Sequence, residues 1–181
     1  MPKFVVLLRG VNVGGAKRVP MAQFRALLSD LGYGGVGTLL NSGNAVFSAA
    51  RGTPASHATQ IATALRAGLK FEVPVIVRSA RELAAIVAEN PIRARESDHS
   101  RLLVTFVQNT KVLSDWASVG SQVMAPERFA VGKSAAYLLC ANGILESRAW
   151  ASLLKKAGGS TTSRNWATVL KLHALASARD A

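Results

Sequence analysis

The order of the secondary structure elements constrains this 181-residue chain more than any other feature of its sequence. Continuous apolar runs of about four to eight residues are typical of strands, and apolar residues three and four positions apart are typical of helices. On this basis, each half of the chain predicts the order strand, helix, strand, strand, helix, which resembles the split βαβ or ferredoxin-like arrangement. In the second half we expect the terminal helix to replace the last strand.

Turn residues and helix caps separate the apolar runs of the first half. Residues 4–8 predict a central strand, and Pro20 fits the first turn of a helix, where its missing N–H has no cost. The segment Asn-Ser-Gly-Asn at 41–44 lies between two apolar runs and predicts a β-hairpin. Ser79 and Glu82 have the spacing of a capping box, which predicts a further helix.

A polar and charged stretch at 91–100 predicts a linker between two domains. We therefore expect an α+β protein of two ferredoxin-like (split βαβ) units in tandem, with antiparallel sheets packed by helices. The N-terminal unit is expected to span residues 1–90, and the C-terminal unit with its terminal helix residues 101–181. Ser147 and Ser163 are expected to cap the last two helices.

Composition excludes a membrane-spanning protein, because no segment approaches the roughly 20 consecutive apolar residues that a span needs. The apolar run near the start is too short for a signal peptide and is closed by Arg9. The single cysteine, Cys140, cannot form an internal disulfide, which agrees with a reducing compartment. We expect a cytoplasmic protein without a membrane partner, and the sequence leaves its oligomeric state open.

The formal net charge is +12, and its distribution along the chain is uneven. Residues 1–29 and 147–179 contain eleven cations and no acid. Two such segments form a basic surface if they fold together, and basic surfaces attract nucleic acid, phosphates or anionic lipid. A well-solvated basic surface without a specific partner explains the same charge equally well.

Cations also gather where helices are predicted to begin. Lys17 and Arg18 precede the first helix, while Arg148 and Arg164 fall in the first turns of the last two. A helix N-terminus carries partial positive charge and favours acids by ~0.3–1 kcal/mol. Cations at these positions therefore indicate an anionic ligand, which free N–H groups and arginine side chains would both bind.

The loop after the first strand has the G-x-x-x-x-G spacing of a phosphate loop at Gly10 and Gly15. Ala16 then stands where that motif needs lysine, and no hydroxyl follows, so we reject a nucleotide-hydrolysing site. The glycines can still present backbone N–H groups to an anion, although a tight turn also explains them. The candidate anion-binding residues are Arg9, Asn12, Gly14, Gly15, Lys17, Arg18, Asn41, Ser42, Asn44, Arg148, Arg164 and Asn165.

No catalytic or metal-binding pattern is evident. The three histidines, His57, His99 and His173, lack metal-ligand spacing, and the carboxylates are too dispersed to nominate a general acid–base pair. The G-x-S-x-G motif of a nucleophilic serine is absent as well. We expect no metal and no cofactor, and the sequence leaves open whether the protein is an enzyme.

Several segments together resemble a known bacterial family, domain of unknown function 1697. The segments that carry the resemblance are residues 7–15, 19–21, 41–47 and 163–172, with 73–83 fitting as well. The resemblance spans essentially the whole chain and implies two ferredoxin-like units, but it implies no activity. Asn41 stands where many members carry glutamine, and Arg148 where lysine is usual, so both exchanges keep polarity or charge.

The leading hypothesis is a binding module for an anionic ligand, either a nucleic-acid backbone or a phosphorylated small molecule. One alternative is an enzyme acting on a small phosphorylated or carboxylated metabolite, with Arg9, Arg148 and Arg164 as substrate clamps. Another is an interaction scaffold. A deep pocket would favour the enzyme, a flat basic face would favour nucleic acid, and an exposed apolar patch would favour the scaffold.

Overall fold

A computed structural model describes residues 1–15 and 17–178 of the chain. Two residues discussed above lie outside the described residues. They are Ala16, in the loop after the first strand, and Arg179, the last cation of the acid-free segment 147–179. The chain divides into two compact units, one comprising Met1–Leu83 together with the chain from Leu172, and the other comprising Ala84–Lys171. No helix among the described residues has the length and apolar character needed to cross a membrane.

The elements follow the same order in both halves of the chain. The first half contains β1 (Lys3–Leu8), α1 (Met21–Asp30), β2 (Gly34–Leu39), β3 (Asn44–Ser48), α2 (Pro54–Leu69), β4 (Val75–Ser79) and α3 (Ala80–Glu89). The second half contains β5 (Leu102–Val107), a 3₁₀ segment (Thr110–Gln122), β6 (Arg128–Val131), β7 (Ala135–Leu139), α4 (Arg148–Ala157), β8 (Thr161–Asn165) and α5 (Trp166–Ser177). A short 3₁₀ turn, Glu96–Asp98, lies between α3 and β5.

Each half builds one four-stranded antiparallel sheet with helices, which confirms the predicted α+β class and the two similar units in tandem. The strand orders are β2-β3-β1-β4 and β6-β7-β5-β8, so the two sheets have the same topology. This order is compatible with the ferredoxin-like arrangement. The first strand of each half lies inside its sheet, between two antiparallel neighbours.

Strand β1 is buried on both faces, as its continuous apolar run predicts. Phe4, Val6 and Leu8 belong to the core of the first unit, which also contains Phe24 of α1 and Ile61 of α2. The alternate side chains of β1 are buried as well. Complete burial of such a side chain contributes about 1.5–3 kcal/mol, so this core provides much of the stability of the unit.

The expectation that the terminal helix replaces the last strand of the second half is wrong. Thr161–Asn165 forms β8 and pairs with β5, with Ser163 opposite Thr105 and the two hydroxyl oxygens 2.7 Å apart. Ser163 is therefore not a helix cap. The cap is Asn165, whose side-chain oxygen accepts a hydrogen bond from the N–H of Thr168 at 2.9 Å.

Strands β4 and β8 end in the same way, although no sequence repeat is visible. Arg78 lies opposite Val5 in the first sheet, and Arg164 lies opposite Val104 in the second. The residue after each arginine then caps a helix, Ser79 through the predicted capping box with Glu82 and Asn165 as described above. Burial lowers the pKa of the Arg78 guanidinium, and the nearby Glu82 carboxylate partly opposes that shift.

The second unit has its own core between the 3₁₀ segment and α4. Trp116 and Val119 of the 3₁₀ segment pack with Leu153 of α4. Trp116 is 1% exposed. Cys140 is also fully buried, and desolvation raises the pKa of its thiol to about 11. The thiol is therefore protonated at neutral pH and structural in character.

His57 lies in an aromatic cluster of the first unit, with Phe4, Tyr33 and Phe47 around its ring. The Tyr33 hydroxyl donates to Gln60 Oε1 at 3.0 Å and lies 2.9 Å from His57 Nδ1. Because the hydroxyl proton of Tyr33 goes to Gln60, Tyr33 accepts from the N–H at Nδ1 of His57. Burial lowers the pKa of His57 below its usual value of 6.5, so at neutral pH the ring is neutral and Nε2 carries no proton. Nε2 is buried and has no hydrogen-bond partner among the described residues. The site thus holds a neutral imidazole.

This neutral histidine predicts a loss of stability in mild acid. Burial lowers the pKa of His57 below its usual value of 6.5, so the unfolded chain binds more protons than the folded protein as the pH falls below that value. The contribution of His57 is complete above about pH 6.5 and is lost at lower pH. Denaturant titrations at about pH 7.5 and 5 should give a smaller loss of unfolding free energy for His57→Gln than for the parent protein.

His99→Gln, at a partly exposed histidine, is the matched control and should keep the pH dependence of the parent protein. An identical pH dependence in His57→Gln and in the parent protein would contradict the assignment.

Candidate functional site

Strand pairing in the first unit brings the loop after β1 beside the turn between β2 and β3. The carboxyl end of β1 pairs with the start of β3, where Leu7 lies opposite Asn44. The pairing continues one residue further, because the N–H of Leu8 donates to the carbonyl of Gly43 at 2.8 Å. The loop that contains Asn12 and the turn that contains Asn41 therefore lie side by side, although these two residues are 29 positions apart in sequence.

Asn12 holds these two segments together. It adopts a left-handed backbone conformation, with φ of 57°, which asparagine tolerates better than most residues. Its side-chain oxygen accepts from the N–H of Val19, and its amide nitrogen donates to the carbonyls of Val19 at 2.9 Å and Asn41 at 2.6 Å. Its own N–H donates to the carbonyl of Lys17. One side chain thus closes the loop and attaches it to the turn.

Gly43 and Asn44 fix the turn against β1. Gly43 has a φ of +75°, and a Cβ there would lie 2.6 Å from Cβ of Leu8 and 2.7 Å from Cγ2 of Val11, so only glycine fits. Asn44 is fully buried, and its amide donates to the carbonyl of Leu39 and to the hydroxyl of Ser42, both at 3.0 Å. In this geometry Ser42 and Asn44 act as structural residues of the turn.

A pocket of about 390 Å³, here called the α1 pocket, lies where the loop enters helix α1. Its lining residues are Asn12, Gly15, Arg18, Val19, Pro20, Met21 and Asn41. The structure thus brings together four of the predicted anion-binding residues. Val19 and Met21 form a wall of the pocket that was not among the predicted site residues, although the Val-Pro-Met segment follows the cations directly in the sequence.

Helix α1 begins at the α1 pocket, and no side chain of the described residues caps it. Pro20 is the N-cap residue, so the helix begins one residue later than the sequence predicted, and its first turn contains no acid. The N–H groups of a first helical turn have no acceptor within the helix, so they are available to a ligand or to water. The other α-helices differ, because a side chain from Thr53, Ser79, Ser147 or Asn165 caps each of them.

Two cations lie beside this helix start. Arg18 is exposed and lines the α1 pocket. Lys17 is more constrained, since its ammonium group donates to the carbonyl of Glu72 at 2.9 Å and lies 6.0 Å from the centre of the Phe71 ring. Among the described residues, no carboxylate forms an ion pair with either cation. Arg18 therefore places a positive charge at the pocket, whereas the ammonium group of Lys17 is held at Glu72.

The remaining predicted residues have other positions. Arg9 is partly exposed and its N–H donates to the carbonyl of Pro74, while Gly14 is an exposed loop residue with φ of 63°. Arg148, Arg164 and Asn165 belong to the second unit. Arg148 is exposed in the first turn of α4, as predicted, and Ser147 caps that helix by accepting from the N–H of Trp150.

Arg164 does not begin a helix, because it lies within β8. Its guanidinium donates to the hydroxyl of Thr162 and to the carbonyl of Ser163, both at 2.8 Å. Burial lowers the pKa of Arg164 to about 10, which still leaves the side chain charged at neutral pH. Within the described part of the chain, no group of three His, Cys, Asp or Glu side chains could hold a metal ion.

The hydrogen bonds of Asn12 predict a specific effect for its isosteric replacement. Asn12→Asp keeps the oxygen that accepts from Val19 but cannot donate to the carbonyls of Val19 and Asn41. We expect the free energy of unfolding to fall by about 1–3 kcal/mol, measured by denaturant titration. Asn142→Asp, at an exposed turn position of the second unit, is the control and should change stability by less than about 0.5 kcal/mol. Equal effects of the two substitutions would contradict the proposed role of Asn12.

Comparisons with known proteins support the fold and identify the family. The conserved bacterial protein SP0830 from Streptococcus pneumoniae has a similar structure, with a TM-score of 0.79 and 25% sequence identity over 97% of this chain and 98% of that chain. No curated protein matches the chain. The family described as protein of unknown function (DUF1697) matches residues 1–137, which include the α1 pocket and the whole first sheet. The chain therefore belongs to the DUF1697 family.

Proposed function

We propose that this protein is a binding module for a small anionic ligand, whose phosphate or carboxylate group occupies the α1 pocket. The observation that carries the proposal is the meeting of Arg18 with the uncapped, acid-free start of helix α1 in one concave site. Arginine binds planar or tetrahedral oxyanions through two parallel hydrogen bonds, and first-turn N–H groups supply further donors.

The loop is organised before a ligand arrives. Asn12 ties the loop to Val19 and Asn41, and the ammonium group of Lys17 is attached to the carbonyl of Glu72. A site whose backbone is already fixed loses less conformational entropy on binding, so more of the interaction energy appears as affinity. The net charge of +12 adds long-range attraction for any anion.

Pocket shape favours a small molecule over a nucleic-acid backbone. The volume of about 390 Å³ lies within the range of about 300–1,000 Å³ that is typical of small-molecule sites. No acid, histidine or cysteine is among the described residues that line the pocket, so it offers groups for binding and no pair for general acid–base catalysis. These features support a binding role ahead of the enzymatic alternative.

A bacterial, cytoplasmic setting is part of the same proposal. It is supported by the similarity to a bacterial protein and by Cys140, which is buried as a free thiol. Free thiols persist in reducing compartments.

Removal of the Arg18 side chain provides the direct test. Isothermal titration with inorganic pyrophosphate should give a dissociation constant about 10- to 100-fold higher for Arg18→Ala than for the parent protein, because charge-assisted hydrogen bonds contribute about 1.5–3 kcal/mol. Arg51→Ala is the matched control, since Arg51 is exposed and follows β3 at the opposite end of the same sheet. It should change the dissociation constant by less than about twofold.

Two results would reject the proposal. One is an equal loss of affinity in the two variants, which would indicate a diffuse charge effect. The other is binding of a single-stranded oligonucleotide, but not of pyrophosphate, with an affinity that falls steeply as salt rises, since that result would assign the basic surface to nucleic acid.

A further inference from the structure

The first unit contains a second concavity, between helices α1 and α2, here called the α1–α2 groove. It has a volume of about 520 Å³ and a mostly apolar lining. Phe24 and Leu65 form its buried floor, and Leu27, Leu31 and Leu69 are partly exposed along it. Small residues keep the groove open, because Ala26, Ala64, Ala67 and Gly68 stand where larger side chains would fill it.

The α1–α2 groove adjoins the α1 pocket. Val19 lines both concavities, the α1 pocket on the side of Arg18 and the groove on the side of Phe24. Lys17 reaches the chain just after α2 at the same end, through its hydrogen bond to the carbonyl of Glu72. The apolar groove and the pocket lined by Arg18 therefore share a wall at Val19.

Charge along the groove is polarised. Arg18 lies at the end where α1 begins, and Asp30, the last residue of α1, lines the other end. A ligand with one negative group would be attracted by Arg18 and repelled by Asp30, so it would bind in a single direction. Its apolar part would then extend from Val19 along α1.

We propose that the ligand of this protein is an acyl-chain anion, with its charged group in the α1 pocket and its hydrocarbon chain in the α1–α2 groove. This inference rests on the proposed function and names the class of molecule that carries the anionic group. Burial of hydrocarbon in an apolar groove is favourable by about 25 cal/mol per Å² of surface removed from water, and the charged group fixes the register.

The dimensions favour one chain over a protein partner or a bilayer. A helix is about 10 Å across and rises 5.4 Å per turn, so a groove of this volume would hold little more than one turn of a partner helix. A bilayer requires apolar side chains that protrude, whereas the floor residues Phe24 and Leu65 are buried below the helix surfaces. A single flexible acyl chain fits both the volume and the recessed lining.

The test is a series of saturated carboxylates from acetate to decanoate, titrated calorimetrically into the full chain below their micelle-forming concentrations. Each methylene that enters the groove should lower the dissociation constant by about fourfold.

Ala67→Trp fills the groove from the exposed side of α2 and should remove this dependence on chain length. Ala55→Trp is the matched control, because Ala55 is exposed on the same helix outside the groove lining and its replacement should leave the dependence intact.

Decanol, which has the same tail without the charge, separates the two proposals. Anion binding that is weakened by Arg18→Ala but independent of chain length overturns the acyl-chain inference and retains the anion site. Equal binding of decanoate and decanol, unaffected by Arg18→Ala, overturns the anion site and the inference that rests on it. Binding to anionic phospholipid vesicles that Ala67→Trp fails to weaken overturns the single-chain assignment in favour of a membrane surface.

Discussion

The central position of β1 is the constraint on which the rest of the first unit depends. Because the strand is apolar on both faces, it must be covered on both, and because it pairs at both edges, it fixes the positions of β3 and β4. That pairing sets the end of β1 against the Gly43 turn, and the loop that follows has to close within reach of it. The α1 pocket is thus a consequence of strand register.

Asn12 and Gly43 show how the loop meets this requirement. Gly43 lets the turn lie close against Leu8 and Val11, where a side chain would clash. Asn12 provides hydrogen bonds to backbone carbonyls of the loop and the turn that have no partner in a regular element. The start of α1 has no side-chain cap among the described residues, and Arg18 lines the pocket beside it. This helix start, without a side-chain cap and beside a fixed, basic loop, is the feature on which the proposed anion site rests.

The second half of the chain repeats the topology of the first with different residues. Arg78 and Arg164 occupy the same register position, and each precedes a residue that caps the following helix. The remainder diverges, since the counterpart of α1 is the 3₁₀ segment Thr110–Gln122, which Asn109 caps by accepting from the N–H of Lys111. Among the described α-helices, a start without a side-chain cap at a basic loop is thus a feature of the first unit, so the two units share a topology but not the proposed site.

The sequence by itself determined the class of the fold and most of its elements, because apolar periodicity, turn residues and the capping box at Ser79 are local signals. The sequence did not predict strand β8. Residues Thr161–Asn165 are polar, and they form a strand because they pair with β5, more than 50 residues away in sequence. Arg164 was assigned to a helix start for the same reason. In the candidate site, the cations and glycines were visible in the sequence. Tertiary structure alone decided that Asn12 joins the loop to the turn and that Arg18 lines a pocket, because both positions depend on which segments strand pairing brings together.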